Sequence, residues 1–347
     1  LGCSADAGLR HVPSTVPTKV AVAVTTCNRP ELLKQLLHSL STCSVPTDAE
    51  VSVVVLDNGS RPAKAVVKAA PFDALYARET RRGIPIARNE AVRHALAHGA
   101  ELIAFIDDDE IASKDWLAEL VGEYRRTCSH LIGGPLVPSA PSGPLSLLEK
   151  LIFRGVATRQ IAKNRKSVQR KARGRTDRIT IVTNNWLAHR SIFDAGIWFD
   201  ENSPLSSGSD ADFSRRVKQA GFKFGWAENA VVYETVTPDR LTFKYQLKRA
   251  YHQGHSSFRR KLRDKRNYSV LATPAIVLAR VLHSALCLAA LPFVPSLALI
   301  NLARSLGYSA GIASAALGRD ANLYATVTGS DPRARRAVAA VGDFSRM

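Results

Sequence analysis

Three aspartates and a glutamate, Asp107, Asp108, Asp109 and Glu110, follow the apolar run LIAFI without a spacer. Carboxylates crowded in this way repel one another unless solvent, a cation or a positively charged group offsets them. If the extended conformation continues, Asp107 and Asp109 point to one side and Asp108 to the other. Two carboxylates on one side suit a hard divalent ion, Mg2+ or Mn2+, that keeps open positions for phosphate oxygens. Such an ion would offset the charge that grows on a departing diphosphate. Asp57 in VVVLDNGS also closes an apolar run, and Asp210 in GSDADFSRR stands at the start of a helical pattern.

Bringing these acids together requires a sheet whose strands end at one edge. From Val20 the chain reads AVAVTT and then NRPELLKQLLHSL, where Leu33, Leu36, Leu37 and Leu40 recur at helical spacing behind Pro30. VSVVVL, DNGS and a helix ending near Ala70 repeat the pattern. The extended YARE, the loop RRG, the helical PIARNEAVRHALAHG and the strand LIAFI repeat it again. Short apolar strands alternating with helices predict an α/β fold, a Rossmann-like, mostly parallel sheet flanked by helices. Ligands of such sheets sit beyond the carboxyl ends of the strands, where DNGS and DDDE both fall. Further helices are predicted over Asp115–Tyr124 and Ser142–Phe153. A solvated basic loop is expected over 154–178, which holds ten Lys or Arg and one acid. Short extended pieces are expected at FKFGW and NAVVYE.

The formal net charge of the 347 residues is +18, which favours anionic lipid, polyanions or phosphorylated small molecules. No nucleic acid partner is expected, because aromatic residues for stacking make up only 7% and the basic clusters are separated by the α/β region. A nicotinamide cofactor is excluded by TTCNRP, which offers no glycine after the first strand for close approach to a pyrophosphate. Five scattered cysteines carry no metal-ligand spacing and suggest a reducing compartment. Val281–Ala303 runs for twenty-three residues without formal charge between Arg280 and Arg304, interrupted by Pro292 and Pro295. A bent hairpin or interfacial helices are expected there, with LGYSAGIASAALG as a second such element. The flanking basic residues would face anionic lipid on the cytoplasmic side of the cell membrane, as a peripheral, monotopic or shallowly inserted anchor. The expected division is a disordered lead over 1–18, a catalytic domain over 19–240 and a basic helical connector over 241–267. Membrane-associating helices over 268–318 and a tail over 319–347 complete it.

In order and spacing, these segments resemble the inverting family 2 glycosyltransferases of the GT-A fold, and among them the bacterial exopolysaccharide, succinoglycan-type glucosyltransferases. The resemblance rests on TTCNRPELLKQLLHSL, VVVLDNGS, GIPIARNEAVRHALAHG, ELIAFIDDDEIASKDWLAEL, TNNWLAHRSIF and GSDADFSRR, and spans about Lys19 to Arg260. It departs from the family's pattern at Cys27, where an aromatic is usual, and at Ser209, where a glutamate is usual. It implies a UDP-sugar donor held by Thr26, Asn28, Arg29 and Asp57 around the uracil, with Arg82, Arg88, Asp107 and Asp108 near the nucleotide. It implies Mn2+ or Mg2+ at Asp107 and Asp109, completed by Glu234 where relatives place a histidine. Asp210 matches the base that deprotonates the acceptor hydroxyl, while Asp212 is read as helix-dipole stabilisation. Acceptor contacts are implied for Asn185, Trp186, Ser209, His255 and Arg259, with His252 and Arg260 close by. The implied reaction transfers a sugar to a polyprenyl-diphosphate-linked saccharide in envelope or exopolysaccharide synthesis. Transfer to polyprenyl phosphate or a non-lipid acceptor, or an inactive membrane scaffold, are the alternatives.

Overall fold

The computed structural model describes residues 17–182, 184–202, 208–263 and 273–319. Residues 1–16 of the expected disordered lead and almost all of the C-terminal tail lie outside these residues, while Thr18, at the end of that lead, already belongs to the first strand. The first half of the chain alternates as expected: β1 (Thr18–Thr26), α1 (Pro30–Ser41), β2 (Ala49–Asp57), α2 (Lys64–Lys68), β3 (Leu75–Arg78), α3 (Ile84–Ala97) and β4 (Leu102–Asp107). β5 (Glu110–Ala112), α4 (Trp116–Thr127), β6 (Leu131–Gly133), β7 (Leu136–Ser139) and α5 (Leu147–Ala172) follow. Then come β8 (Asn185–His189), α6 (Ser191–Asp194), α7 (Ser209–Gln219), β9 (Phe224–Trp226) and β10 (Val232–Thr235). The helices α8 (Phe243–Arg263), α9 (Thr273–Ala290) and α10 (Pro295–Ala316) complete the described chain.

Seven strands form one sheet in the order β3-β2-β1-β4-β8-β6-β9, and β5-β10-β7 form a smaller one. β1 lies between β2 and β4 and is parallel to both, pairing Thr26 with Asp57 and Thr25 with Asp107. That register carries the three strand ends to one edge. Alternation along the strands divides the core between two faces. Val20, Val22 and Val24 join one apolar cluster, Ala21 and Ala23 the other.

Two segments differ from expectation. The basic stretch after Phe153 continues as helix to Ala172 instead of looping out. Its start carries a capping box, in which Ser146 Oγ accepts from the Glu149 amide and Glu149 accepts from the Ser146 amide at 2.8 Å. Ile152 and Gly155 bury one side against α10, where a Cβ on Gly155 would collide with the Ser296 carbonyl and Ile300. Most of the basic side chains stand on the other faces, while Arg159 extends along the buried side to Asn301 of α10. The apolar tail breaks between Ala290 and Pro295, as the prolines predict, but its two halves behave differently. α9 exposes Leu278, Val281, Leu282, Leu286 and Leu288, and is long and apolar enough to cross a membrane by length and composition, with mean hydropathy 1.6. α10, which includes the second expected membrane element, packs instead onto α8. Gly307 and Gly311 let its backbone touch the carbonyls of Leu247 and Tyr251, an approach that any larger residue would block.

Candidate functional site

The site lies beyond the carboxyl ends of β1, β2 and β4. The loop after β2 is organised by Asp57, which is fully buried: Oδ1 accepts from the Gly59 amide at 2.8 Å, and Oδ2 from the Ala63 amide at 2.6 Å and the Tyr76 hydroxyl at 2.9 Å. Asn28 takes a left-handed conformation at φ 58° and its Oδ1 accepts from the Arg61 amide at 3.1 Å, joining the first loop to the second. Asn58 adds a connection that its sequence context did not reveal. Its Nδ2 donates to the carbonyls of Glu79 and Arg81, and its Oδ1 accepts from the Gly83 amide at 3.1 Å, at the start of α3. These loops are tied together at the carboxyl edge of the sheet, where Arg82 is exposed.

The four acids do not alternate as an extended strand would place them. The strand ends at Asp107, and residues 108 and 109 form a turn. Asp108 and Asp109 therefore share Arg29, at 2.9 and 3.4 Å, while Asp107 faces Arg88 at 3.6 Å. Asp108 also accepts from the Thr26 hydroxyl at 2.8 Å. Burial pushes the Asp108 carboxyl up against the pull of Arg29. Burial works the same way at Asp109, but Arg240 and Arg29 hold that carboxyl below the usual range. Glu110 is buried, accepts from the Asp107 amide at 2.9 Å, and is driven well up by burial and by Asp107 and Asp109.

Arg240, in a short 3-10 turn over Pro238–Leu241, bridges Asp109 at 2.9 Å and Glu234 at 3.0 Å. The countercharge expected from a metal is thus supplied at these two acids by the chain itself. The expected metal set Asp107, Asp109 and Glu234 is not assembled. Asp109 and Glu234 hold a guanidinium, Asp107 faces another arginine, and among the described residues no group of three or more His, Cys, Asp or Glu is placed to hold a metal ion.

The more open acids are Asp107 and Asp210, each with a side chain 30% exposed, against 5% for Asp108 and 7% for Asp109. Both meet Arg88, a buried residue of α3 whose Nη1 donates to Asp210. Ser209 also donates to Asp210, at 3.2 Å. Burial pushes Asp107 up to about 7 despite Arg88, with Asp109 and Asp210 adding to the rise. Lys163 of α5 is within electrostatic reach of Asp210, Glu234 and Arg249 of α8, and burial of its ammonium together with Arg249 lowers its pKa.

Asp212 is committed to ion pairs: it is buried among Arg215 at 2.8 Å, Arg216 at 3.0 Å and Arg263 at 3.0 Å, and Arg215 and Arg216 hold it low against burial. Three expected acceptor contacts are also relocated. Asn185 is buried with its amide committed, accepting from the Trp116 indole at 2.9 Å and donating to the carbonyls of Pro135 and Ala230. Trp186 is 1% exposed and stacks on Phe105 at 5.0 Å, because β8 pairs these two residues across the sheet, so it is a core residue and offers no face to a sugar. His255 is buried between α8 and α10 with its Nε2 at 2.6 Å from the Arg319 carbonyl, and its neighbour His252 is buried too. Arg259 is exposed on α8. Arg260 donates to the Gly208 carbonyl at 2.8 Å, tying α8 to the residue before Ser209 and Asp210.

The glycosyl transferase family 2 model matches residues 21–196. The succinoglycan biosynthesis protein ExoM of Rhizobium meliloti (strain 1021) is 29% identical over 243 residues, covering 68% of this chain and 73% of that protein. Among solved structures, S. aureus TarS 1-349 in complex with UDP aligns over 87% of this chain and 92% of that one, with 16% identity and a TM-score of 0.47. A longer S. aureus TarS structure aligns over 67% of this chain with 18% identity and a TM-score of 0.46, and the alignment spans only 39% of that chain.

Proposed function

The chain belongs to glycosyl transferase family 2, and on that premise we propose that it moves a sugar from a UDP-sugar to a lipid-linked saccharide, with inversion at the anomeric carbon. One observation carries this reading: Asp107, from the end of β4, and Asp210, from the first turn of α7, meet the same guanidinium of Arg88 beyond the carboxyl end of β4. Asp210 accepts the proton of the acceptor hydroxyl as that oxygen attacks the anomeric carbon. The bond to the diphosphate breaks on the opposite face, and the leaving group departs with the electron pair. Arg88 and Ser209 hold Asp210 in position, and Ser209 does so without adding the negative charge that a glutamate would bring. Lys163 and Arg249 supply positive charge toward which the diphosphate charge develops.

The similarity to a succinoglycan biosynthesis protein supports an acceptor of the exopolysaccharide kind. The exposed apolar face of α9 supports work at a membrane surface. Arg280 and His283 lie on that helix, which favours a helix lying at the interface over a straight span. The donor assignment is tested by calorimetry with a panel of nucleoside diphosphates, with and without Mn2+. UDP should bind and the purine nucleotides should not; failure of UDP to bind under either condition would end the donor assignment. Tighter binding of UDP in Mn2+ would show that the cation enters with the nucleotide.

A further inference from the structure

Away from the acids, helices α5, α8, α9 and α10 line a cavity of about 150 Å³ that opens to solvent at the exposed Arg159, Arg280 and His283. Arg159 comes from α5, Arg280 and His283 from α9, and Asn301, Arg304 and Tyr308 from α10. Three guanidiniums line one small space, and among the described residues none of them makes an ion pair with a carboxylate. Their partners are neutral: Arg159 donates to the Asn301 side chain, Arg304 to Gln253 Oε1 at 3.3 Å, and Arg280 lies over the Tyr308 ring at 4.9 Å from its centre. Burial together with mutual repulsion lowers two of them, Arg159 through Arg280, and Arg304 to about 10 through Arg159, Arg249 and Arg280. Cations held this way, with room between them and no carboxylate partner, suit an anion.

Position narrows the class of anion. The cavity is bounded by α9, whose outward leucines are exposed, so a ligand there sits at the level where an apolar helix would meet a lipid headgroup layer. Arg159 and Lys163 are one turn apart on α5. With Arg249 between Arg304 and Lys163 in electrostatic reach, basic groups lead from the cavity toward Asp210.

We propose that the cavity between α5, α8, α9 and α10 binds the phosphate group of a membrane lipid, with Arg159, Arg280 and Arg304 as its ligands. Guanidinium forks match phosphate oxygens and remain charged at every relevant pH. In the glycosyl transfer proposed above, on which this extension rests, the bound lipid is the carrier of the acceptor. The phosphate then holds the carrier at the headgroup level while the basic track directs its saccharide toward Asp210.

The test uses the full chain and three probes: farnesyl diphosphate, inorganic pyrophosphate, and vesicles of phosphatidylcholine with or without phosphatidic acid. Farnesyl diphosphate and phosphatidic acid vesicles should bind, and R159Q/R304Q should weaken both at least tenfold while leaving UDP binding unchanged. A control double variant on the same helix, K166Q/R170Q, removes the same charge outside the cavity and should change binding less than twofold. Equal losses in the two variants would reduce the effect to bulk charge and overturn the proposal. Pyrophosphate binding as tightly as farnesyl diphosphate would assign the cavity to a free phosphate and overturn the lipid assignment. Because the guanidiniums repel, R304Q should melt at the same temperature as the parent or higher; a marked drop would mean that Arg304 is a structural residue. Farnesyl diphosphate binding without any UDP binding would keep this site and remove the transferase reading, so the two failures are separable.

Discussion

Replacing Arg240 by methionine tests whether the acidic turn is neutralised by the chain. The side chain is 13% exposed and holds two carboxylates at once, Asp109 at 2.9 Å and Glu234 at 3.0 Å. Removing one partner of a buried ion pair costs about 3–5 kcal/mol, chiefly because the other charge stays buried without compensation. Asp109 keeps Arg29 at 3.4 Å, which places the expected loss at the lower end, about 3 kcal/mol. For a chain of this size that corresponds to a fall in Tm of roughly 4 °C. Differential scanning calorimetry of R240M against the parent measures it. A second arm adds Mn2+ in millimolar excess. With the guanidinium gone, Glu234 loses its Arg240 partner and Asp109 is left with Arg29, so the cation should recover part of the lost Tm in R240M and none in the parent. If R240M melts with the parent, the guanidinium is not what balances these acids. If the parent itself is stabilised by Mn2+ alone, a metal site exists that the ion pairs had been taken to exclude.

Trp186→Phe should lower stability by about 1–3 kcal/mol through lost core volume and leave the acceptor KM within twofold, measured by denaturant unfolding and steady-state kinetics; a large rise in KM at unchanged stability would return Trp186 to the acceptor site. His252, buried beside Lys248 and His255, is pushed down from 6.5 to about 4 by burial and those neighbours. The unfolded chain therefore binds the proton first, so stability is complete above pH 6.5 and falls as the pH drops toward 4. Tm against pH should show that decline in the parent and a shallower one in H252Q, and superimposable profiles would refute it.

The alternating half of the fold was legible because its strands are continuous apolar runs and its helices carry clear periodicity, as in Leu33, Leu36 and Leu37. The convergence of Asp57 and Asp107 followed from parallel register alone. The start of α5 was read as helix to Phe153, but its continuation to Ala172 was missed because the density of lysines and arginines was weighed as the mark of a solvated loop. Arg240 could not be found, since a lone arginine after a proline has no local pattern, and only the pairing of β10 with β5 brings it to Asp109. Asn185 and Trp186 were placed by motif, yet their environment is set by the antiparallel pairing of β8 with β4, a long-range fact that no local spacing encodes. The double role of Arg88 was invisible for the same reason, because Asp107 and Asp210 lie far apart in the chain.

The central claim is that Asp210 removes the acceptor proton in a sugar transfer. The direct measurement compares D210N with the parent in UDP binding and in transfer to a lipid-linked acceptor. UDP affinity should stay within threefold, while the transfer rate should fall about 10²–10⁴-fold, the usual contribution of a positioned general base. Transfer by D210N at the parental rate would contradict the account.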